Sequence, residues 1–326
     1  MTSAVATAGP RTSPWLSFGL RRLGRFAVSL WVLVTTAFLM IQLIPGDPVR
    51  AALGLTAPAE LVNARRAALG LDDPLWKQYA DYLAGLFSGD WGTSMTTGVP
   101  VADVIGDRLP ATLQLALPAF VVVIAVAIPL GLLFAVLTRG GRRRGGELAF
   151  TSATVLLAAI PEFLVAVALV AFFAVRLGWF PVAGSEAPGA LVLPVIALAL
   201  GPASVLSRIV RVETLSVLGN DFIRTARAKR LPARLVYLRH ALPNALTATL
   251  TMGGLMLTGM VAGTVLVENV FAWPGLGSTI TQSILQKDYP QVQGIVLVYG
   301  IGVLLVNLAV DVLLAVLDPR STIRED

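Results

Sequence analysis

An all-α polytopic membrane protein, with six transmembrane helices and both termini in the cytoplasm, is the fold class this sequence predicts. Three observations carry the prediction. Mean hydropathy is +0.78 over 326 residues, of which 56% are hydrophobic and only 13% charged, a composition foreign to ordinary soluble domains. Apolar stretches of roughly 18 residues or more, the length that crosses a bilayer as a helix, recur along the chain. Basic residues gather in alternate loops between those stretches, which orients a membrane protein with those loops inside.

Residues 1–25 form a cytoplasmic N-terminal and interfacial segment. The first dozen are small and polar and are expected to be disordered. Trp15, Leu16, Phe18, Leu20 and Leu23, set beside Arg21, Arg22 and Arg25, read as a strip lying in the membrane interface. Residues 26–44 are the first transmembrane helix, an uncharged run of 19 residues. At about 1.5 Å per residue it spans about 28 Å. Pro45-Gly46-Asp47-Pro48 is no small-residue cleavage site, so the run is not read as a removable leader.

Residues 45–109 form an extracytoplasmic loop, with eight acidic residues against five basic ones. Leu75, Tyr79, Tyr82, Leu83, Leu86 and Phe87 recur at helical spacing, which predicts a short amphipathic helix against the membrane or the bundle. Residues 110–320 are the membrane core. Its spans run over Pro110–Leu137, Leu148–Val175, Leu191–Ser207, Ala245–Val267 and Val292–Leu317. Pro194, Gly201 and Pro202 interrupt the fourth, and Pro161 the third. Breakers survive in a span where neighbours or a cavity satisfy the freed backbone, so these two read as pathway or packing helices. Residues 321–326 are a cytoplasmic tail. Arg139, Arg142, Arg143 and Arg144 separate spans two and three.

Several chemistries are missing. A net charge of +6 and a pI near 10.2 fit a nucleic-acid binder in principle. Here loop positioning accounts for the charge, and no nucleic-acid partner is expected. Cys is absent and His240 stands alone, so no disulfide framework, metal site or catalytic residue is assigned. No G-x-x-x-x-G-K-[ST] loop is present to bind ATP.

Charged groups inside the spans are few. A carboxylate in a membrane is costly enough to mark a functional site by default. Glu162, after Pro161, is read either as a pathway or partner-helix group, or as an acid solvated at a helix break beside a cavity. Asn307 and Asp311 share one face of the last span at i, i+4, a spacing suited to helix–helix hydrogen bonds. Glu268 falls at the outer end of the fifth span and is expected at the interface.

One stretch stands apart, "DFIRTARAKRLPARLVYLRHALPN". It carries Arg224, Arg227, Lys229, Arg230, Arg234 and Arg239 against Asp221 alone. Asn220 or Asp221 can cap a helix over Phe222–Arg230, ended by Leu231-Pro232, and Pro232 suits the first turn of a second helix. Phe222, Ile223 and Ala226 fall near one face. Such a helix can dock in a partner's groove or lie on anionic lipid, and composition leaves both open.

The pattern "RTARAKRLPARLVYLRHALPN" resembles the EAA-type cytoplasmic loop of permease subunits in bacterial ABC importers. "PGDPV" at 45–49, "GDWGTS" at 89–94, "IPEF" at 160–163, "VENVFAWPGLG" at 267–277, "DYPQVQG" at 288–294 and "NLAVDVLLAVLDPR" at 307–320 extend the likeness nearly end to end. The chain is identified as similar to the first permease of the dipeptide/oligopeptide transporter group. That resemblance implies a multi-pass protein of the bacterial inner membrane with the ABC importer permease fold. It is then not an enzyme, has no cofactor of its own and imports di- or oligopeptides. Permeases for nickel, glutathione and other small solutes share the scaffold. The implied partners are a second, homologous permease, two cytoplasmic ATPases holding ATP and Mg, an extracytoplasmic binding protein and the lipid membrane. Within the 221–243 coupling segment the ATPase contact falls on Asp221, Phe222, Ile223, Arg224, Thr225, Ala226, Arg227, Ala228, Lys229 and Arg230. The loop pattern wants Gly where Arg230 stands, and Arg does not take φ > 0 cheaply, so a differently shaped turn is expected there. An ion-coupled secondary transporter is the main rival. It would favour paired intramembrane acids and a two-half repeat, and neither is visible in the sequence.

Tags at Gly141, Arg230 and the C terminus are predicted to report cytoplasmic, and a tag at Asp72 external, in a reporter-fusion or cysteine-accessibility assay. An external Arg230 would sink both the six-span topology and the docking idea.

Overall fold

The computed structural model of the chain describes residues 14–317, apart from 44–46, 55, 69 and 142. The N-terminal dozen, the 321–326 tail, Pro45 and Gly46 of the first shared motif and Asp318–Arg320 of the last lie outside them. Helices α1 (Pro14–Gln42), α2 (Pro48–Leu53), α3 (Ala59–Ala68), α4 (Leu75–Ser88), α5 (Val101–Thr138), α6 (Arg144–Ala159) and α7 (Glu162–Leu169) come first. After α7 the backbone continues in π-helical turns to Arg176. Then follow α8 (Val192–Val217), α9 (Asp221–Ala228), α10 (Ala233–Leu235), α11 (Leu242–Val270), α12 (Leu276–Leu285) and α13 (Tyr289–Leu317). Among the described residues no β-strand forms.

α1, α5, α8, α11 and α13 are long and apolar enough to cross a membrane. The third expected span is not one straight helix. α6 and the α7 segment are bent by 93° at Ile160-Pro161, because Pro161 supplies no N–H to a continuing ladder and forces its predecessor out of the helical region. The pair still joins opposite ends of the bundle. Near the start of α6, Glu147 meets Arg211 toward the C-terminal end of α8. Beyond α7, Gly184 N–H donates to Phe271 O at the far end of α11. The bent pair is therefore the sixth crossing.

Other expected boundaries shift outward. α5 begins at Val101, nine residues before the predicted span, and holds Pro110, Pro118 and Pro129 inside it. Its 38 residues rise about 57 Å, more than the roughly 30 Å hydrocarbon layer needs. The surplus stands outside, where Val101 and Ile105 pack on Leu276 and Ile295. α8 runs ten residues past the predicted Ser207. Despite Pro202 it is the most enclosed of the long helices, with over half of its apolar stretch buried. Gly131 admits it closely, since a Cβ there would meet the Val210 side chain at 2.6 Å.

Polar side chains set the register. Antiparallel α1 and α13 are tied at one end by Arg22 to Asp311 (2.6 Å) and at the other by Gln293 Nε2 donating to Ala37 O (3.0 Å). α4 lies on α1 through Tyr79 and Tyr82 around Phe38, with Thr35 Oγ1 and Tyr79 Oη 2.7 Å apart. One face of the expected amphipathic helix thus meets the bundle.

The outer end is organised by two buried acids. Asp288 accepts from Met95 N–H (3.0 Å), Thr96 Oγ1 (2.8 Å) and Ser94 Oγ, clamping the "GDWGTS" loop to the start of α13. Glu268 was expected at the interface, yet it is fully buried. It accepts from Thr112 Oγ1 of α5 (2.7 Å) and from Ser278 N–H (3.0 Å), while Thr112 Oγ1 in turn accepts from Leu276 N–H (2.8 Å). The orphan donors at the start of α12 are thereby capped by residues from α11 and α5, not from α12 itself. A Cβ on Gly275 or Gly277 would run into the Glu268 carboxylate, which accounts for both glycines of "WPGLG".

Thr112→Val is predicted to strand the Leu276 N–H and remove one donor from Glu268. Buried groups left unpaired cost about 1–3 kcal/mol each, so the apparent melting temperature of the detergent-purified permease should drop by roughly 4–8 °C. Thr258→Val, whose hydroxyl makes only contacts at 3.4 Å, should cost clearly less; equal losses would refute the capping role.

Candidate translocation and coupling sites

At the cytoplasmic end, α8 closes against the loop between α5 and α6. Arg211 donates to Thr138 Oγ1 (2.9 Å) and Glu147 Oε1 (2.6 Å), and Arg139 donates to Leu218 O (3.3 Å). α9 follows directly. Its N-cap position, Asn220, is extended (φ −71°, ψ 153°) but makes no side-chain cap. Asp221 supplies charge at the helix start instead, which favours the N-terminal end of the dipole, and pairs with Arg224 at 3.1 Å.

The apolar face of α9 is turned inward, contrary to the expectation that it is free for a partner. Ile223 is fully buried and Ala226 nearly so, in a cluster with Val217, Leu218, Val236, Ala241 and Ala245. Phe222 is left 43% exposed. At 100° per residue, Asp221, Arg224, Thr225 and Ala228 share the outward side, and all four are exposed together with Lys229 and Arg230. Arg227 is half-buried, and its Nη2 is enclosed without a hydrogen-bond partner among the described residues. A short helix seated by Ile223 and Ala226 offers one aromatic ring and a polar, basic surface.

Arg230 resolves differently from its expectation. Its φ is +56°, the left-handed conformation that Gly would take there without steric penalty. Arg230 N–H still closes onto Arg227 O (2.8 Å) and Leu231 N–H onto Ala226 O (3.3 Å). The turn keeps a glycine-type shape, at a backbone cost of about 1–2 kcal/mol.

The three candidates for pathway or helix contact, Glu162, Asn307 and Asp311, separate. Glu162 opens the first turn of α7, where its charge faces the helix N-terminus, and its carboxylate lies over Gly263 of α11, 2.7 Å from where a Cβ would stand. Asn307 and Asp311 do not act on one neighbour: Asn307 Oδ1 faces Thr258 Oγ1 of α11 at 3.4 Å, whereas Asp311 pairs with Arg22 of α1.

Sequence reasoning missed Arg208, on the part of α8 placed beyond the predicted span. Its Nε is buried with no hydrogen-bond partner among the described residues. Val205, Ile209 and Val212, continuing the apolar helical spacing through "SRIVRVETLSV", were the signal that the helix runs on.

Comparison with known proteins agrees with this architecture. The family model described as "Binding-protein-dependent transport system inner membrane component" matches residues 127–323, and that of its N-terminal region matches residues 15–116. The glutathione transport system permease protein GsiC of Escherichia coli K12 is 34% identical over 93% of this chain and 98% of its own length. Its Salmonella typhimurium counterpart is 36% identical over the same shares. An inward-facing structure of the MetNI methionine ABC transporter has a like fold, with a TM-score of 0.56 at 20% identity over 66% of this chain and 96% of that one. With the membrane core and the preceding region both matched in order, the chain belongs to the binding-protein-dependent transport system inner membrane component family, as a multi-pass permease subunit of the ABC importer kind.

Proposed function

We propose that this chain forms half of the translocation pathway of an ATP-driven importer of di- or oligopeptides, glutathione-like tripeptides included. A second, homologous permease completes the pathway, two cytoplasmic ATPases hydrolyse ATP with Mg, and an extracytoplasmic binding protein delivers substrate. The observation that carries the reading is α9, a separate helix at the cytoplasmic end, anchored by Ile223 and Ala226 and otherwise turned outward. The peptide substrate is supported by kinship with permeases named for glutathione, itself a tripeptide. ATPase closure would push on α9, and α9 rests on the cluster that includes Ala241 and Ala245 at the start of α11. Motion there has a rigid element to travel along.

The inward turn of Ile223 sharpens the test. Ile223→Ala removes core packing worth about 2–5 kcal/mol and is predicted to lower the melting temperature of the permease itself. Phe222→Ala is predicted to leave that temperature nearly unchanged and weaken ATPase retention about fivefold, since the ring has about 1 kcal/mol of exposed surface left to bury. Arg234→Gln with Arg239→Gln should change retention less. Pull-down of the ATPases and substrate-stimulated hydrolysis in nanodiscs read both effects. Loss of the ATPases in the charge-neutralised variant, with full retention in Phe222→Ala, would instead assign the segment to anionic lipid.

A further inference from the structure

The half-buried groups with no ion-pair partner among the described residues include two of opposite charge, the Glu162 carboxylate and the Arg208 guanidinium. Arg208 opens onto a cavity of about 490 Å³ between α6, α8 and α11, walled by Phe150, Thr151, Val205 and Met252. That size lies within the roughly 300–1,000 Å³ of small-ligand sites. Arg211, on its edge, is already engaged by Glu147, and Glu213 also lines the cavity but makes no ion pair with Arg208.

Helical register sets both charges along one groove. Met252 and Gly263 lie three turns apart on almost the same face of α11, with Gly259 between them. Met252 borders the Arg208 cavity and Gly263 lies under Glu162. α6 climbs in parallel from Phe150 and Thr151 to its end at Ala159, just before Glu162. On α8, Gly201 sits two turns outward of Arg208 on the same face. A Cβ on either Gly201 or Gly259 would meet nothing within 4 Å, so no neighbouring element closes on either position between the two charges. Met252 and Gly263, the α11 residues beside the two charges, are about 16 Å apart along the helix. An extended tripeptide covers about 10 Å; with the Glu162 carboxylate already at Gly263, a hydrogen-bond distance of about 3 Å at each end closes the difference.

We propose that Glu162 and Arg208 are the two poles of a substrate groove that takes short zwitterionic peptides, the ammonium end toward Glu162 and the carboxylate end toward Arg208. The assignment rests on the peptide-importer reading and adds to it an orientation, amino end outermost, together with a selectivity that the permease itself imposes.

The test is ATP-driven uptake by the full complex, with its binding protein saturated in turn by trialanine, N-acetyl-trialanine and trialanine amide. Dividing each variant's ratios by those of the unmutated complex removes the binding protein's own preference. Glu162→Gln is expected to lose about tenfold of the discrimination against the acetylated peptide and keep that against the amide. Arg208→Gln should do the reverse, while Glu162→Asp and Arg208→Lys retain both. Should a variant fail to assemble, as judged by ATPase co-purification, the unmutated complex still decides. Trialanine-length peptides with a diazirine side chain at the first residue should label around Gly263, and with one at the last residue around Met252. Uniform slowing of all three substrates, or labelling that is reversed or absent, overturns the groove assignment alone. Absence of any ATP-dependent trialanine uptake by the unmutated complex overturns the importer reading and this proposal with it.

Discussion

A carboxylate withdrawn from water inside a membrane protein persists only where fixed donors replace its hydration, and the Glu268 site meets that demand with parts from three helices. α11 brings the acid, α5 brings Thr112, and α12 brings its unsatisfied N–H groups. Removing any one costs each of the others a hydrogen-bond partner, so the outer ends of α5, α11 and α12 hold position together. The sequence around the acid follows from this. Gly275 and Gly277 leave room for the carboxylate, and Trp273 fills the adjoining space with its indole N–H donating to Ala111 O.

That fixed outer corner is continuous with the cytoplasmic contact surface. α11 begins among the residues that seat α9 and ends at Glu268, an unbroken helix of about 43 Å. The α9 seat and the Glu268 corner are thus two ends of one continuous helix. α8 runs beside it, enclosed by α5, α6, α7 and α11. The 93° break before Glu162 gives the bent crossing a joint that a straight helix lacks.

Charge follows the same division. The cytoplasmic end carries its arginines either in local pairs, such as Arg211 with Glu147, or outward on α9 and the loop after it. The outer end keeps Asp288 and Glu268 buried against hydroxyls and backbone N–H groups rather than against cations. Basic charge at the inner surface serves orientation, whereas buried carboxylates outside serve as caps and clamps. Arg230 shows how far contact geometry outranks local preference. Its backbone takes the glycine conformation because the hydrogen bonds of the turn and the burial of Ile223 outweigh a cost of about 1–2 kcal/mol.

The sequence by itself determined the class and the orientation, since both are additive properties. Apolar run length sets how many times the chain crosses, and the placement of arginines sets which loops stay inside. The shared motifs identified the kind of permease for a similar reason: each is a contiguous string whose identity survives without knowledge of its contacts. Tertiary structure decided whatever depends on partners distant in the chain. Glu268 at a span end reads as interfacial until Thr112, 156 positions away, and the start of α12 are seen to enclose it. α9 reads as an amphipathic helix awaiting a partner until its apolar side proves to be occupied by its own chain. Arg208 reads as a loop residue until α8 is seen to run on past it. Hydropathy registers what leaves water, while packing alone says what it meets.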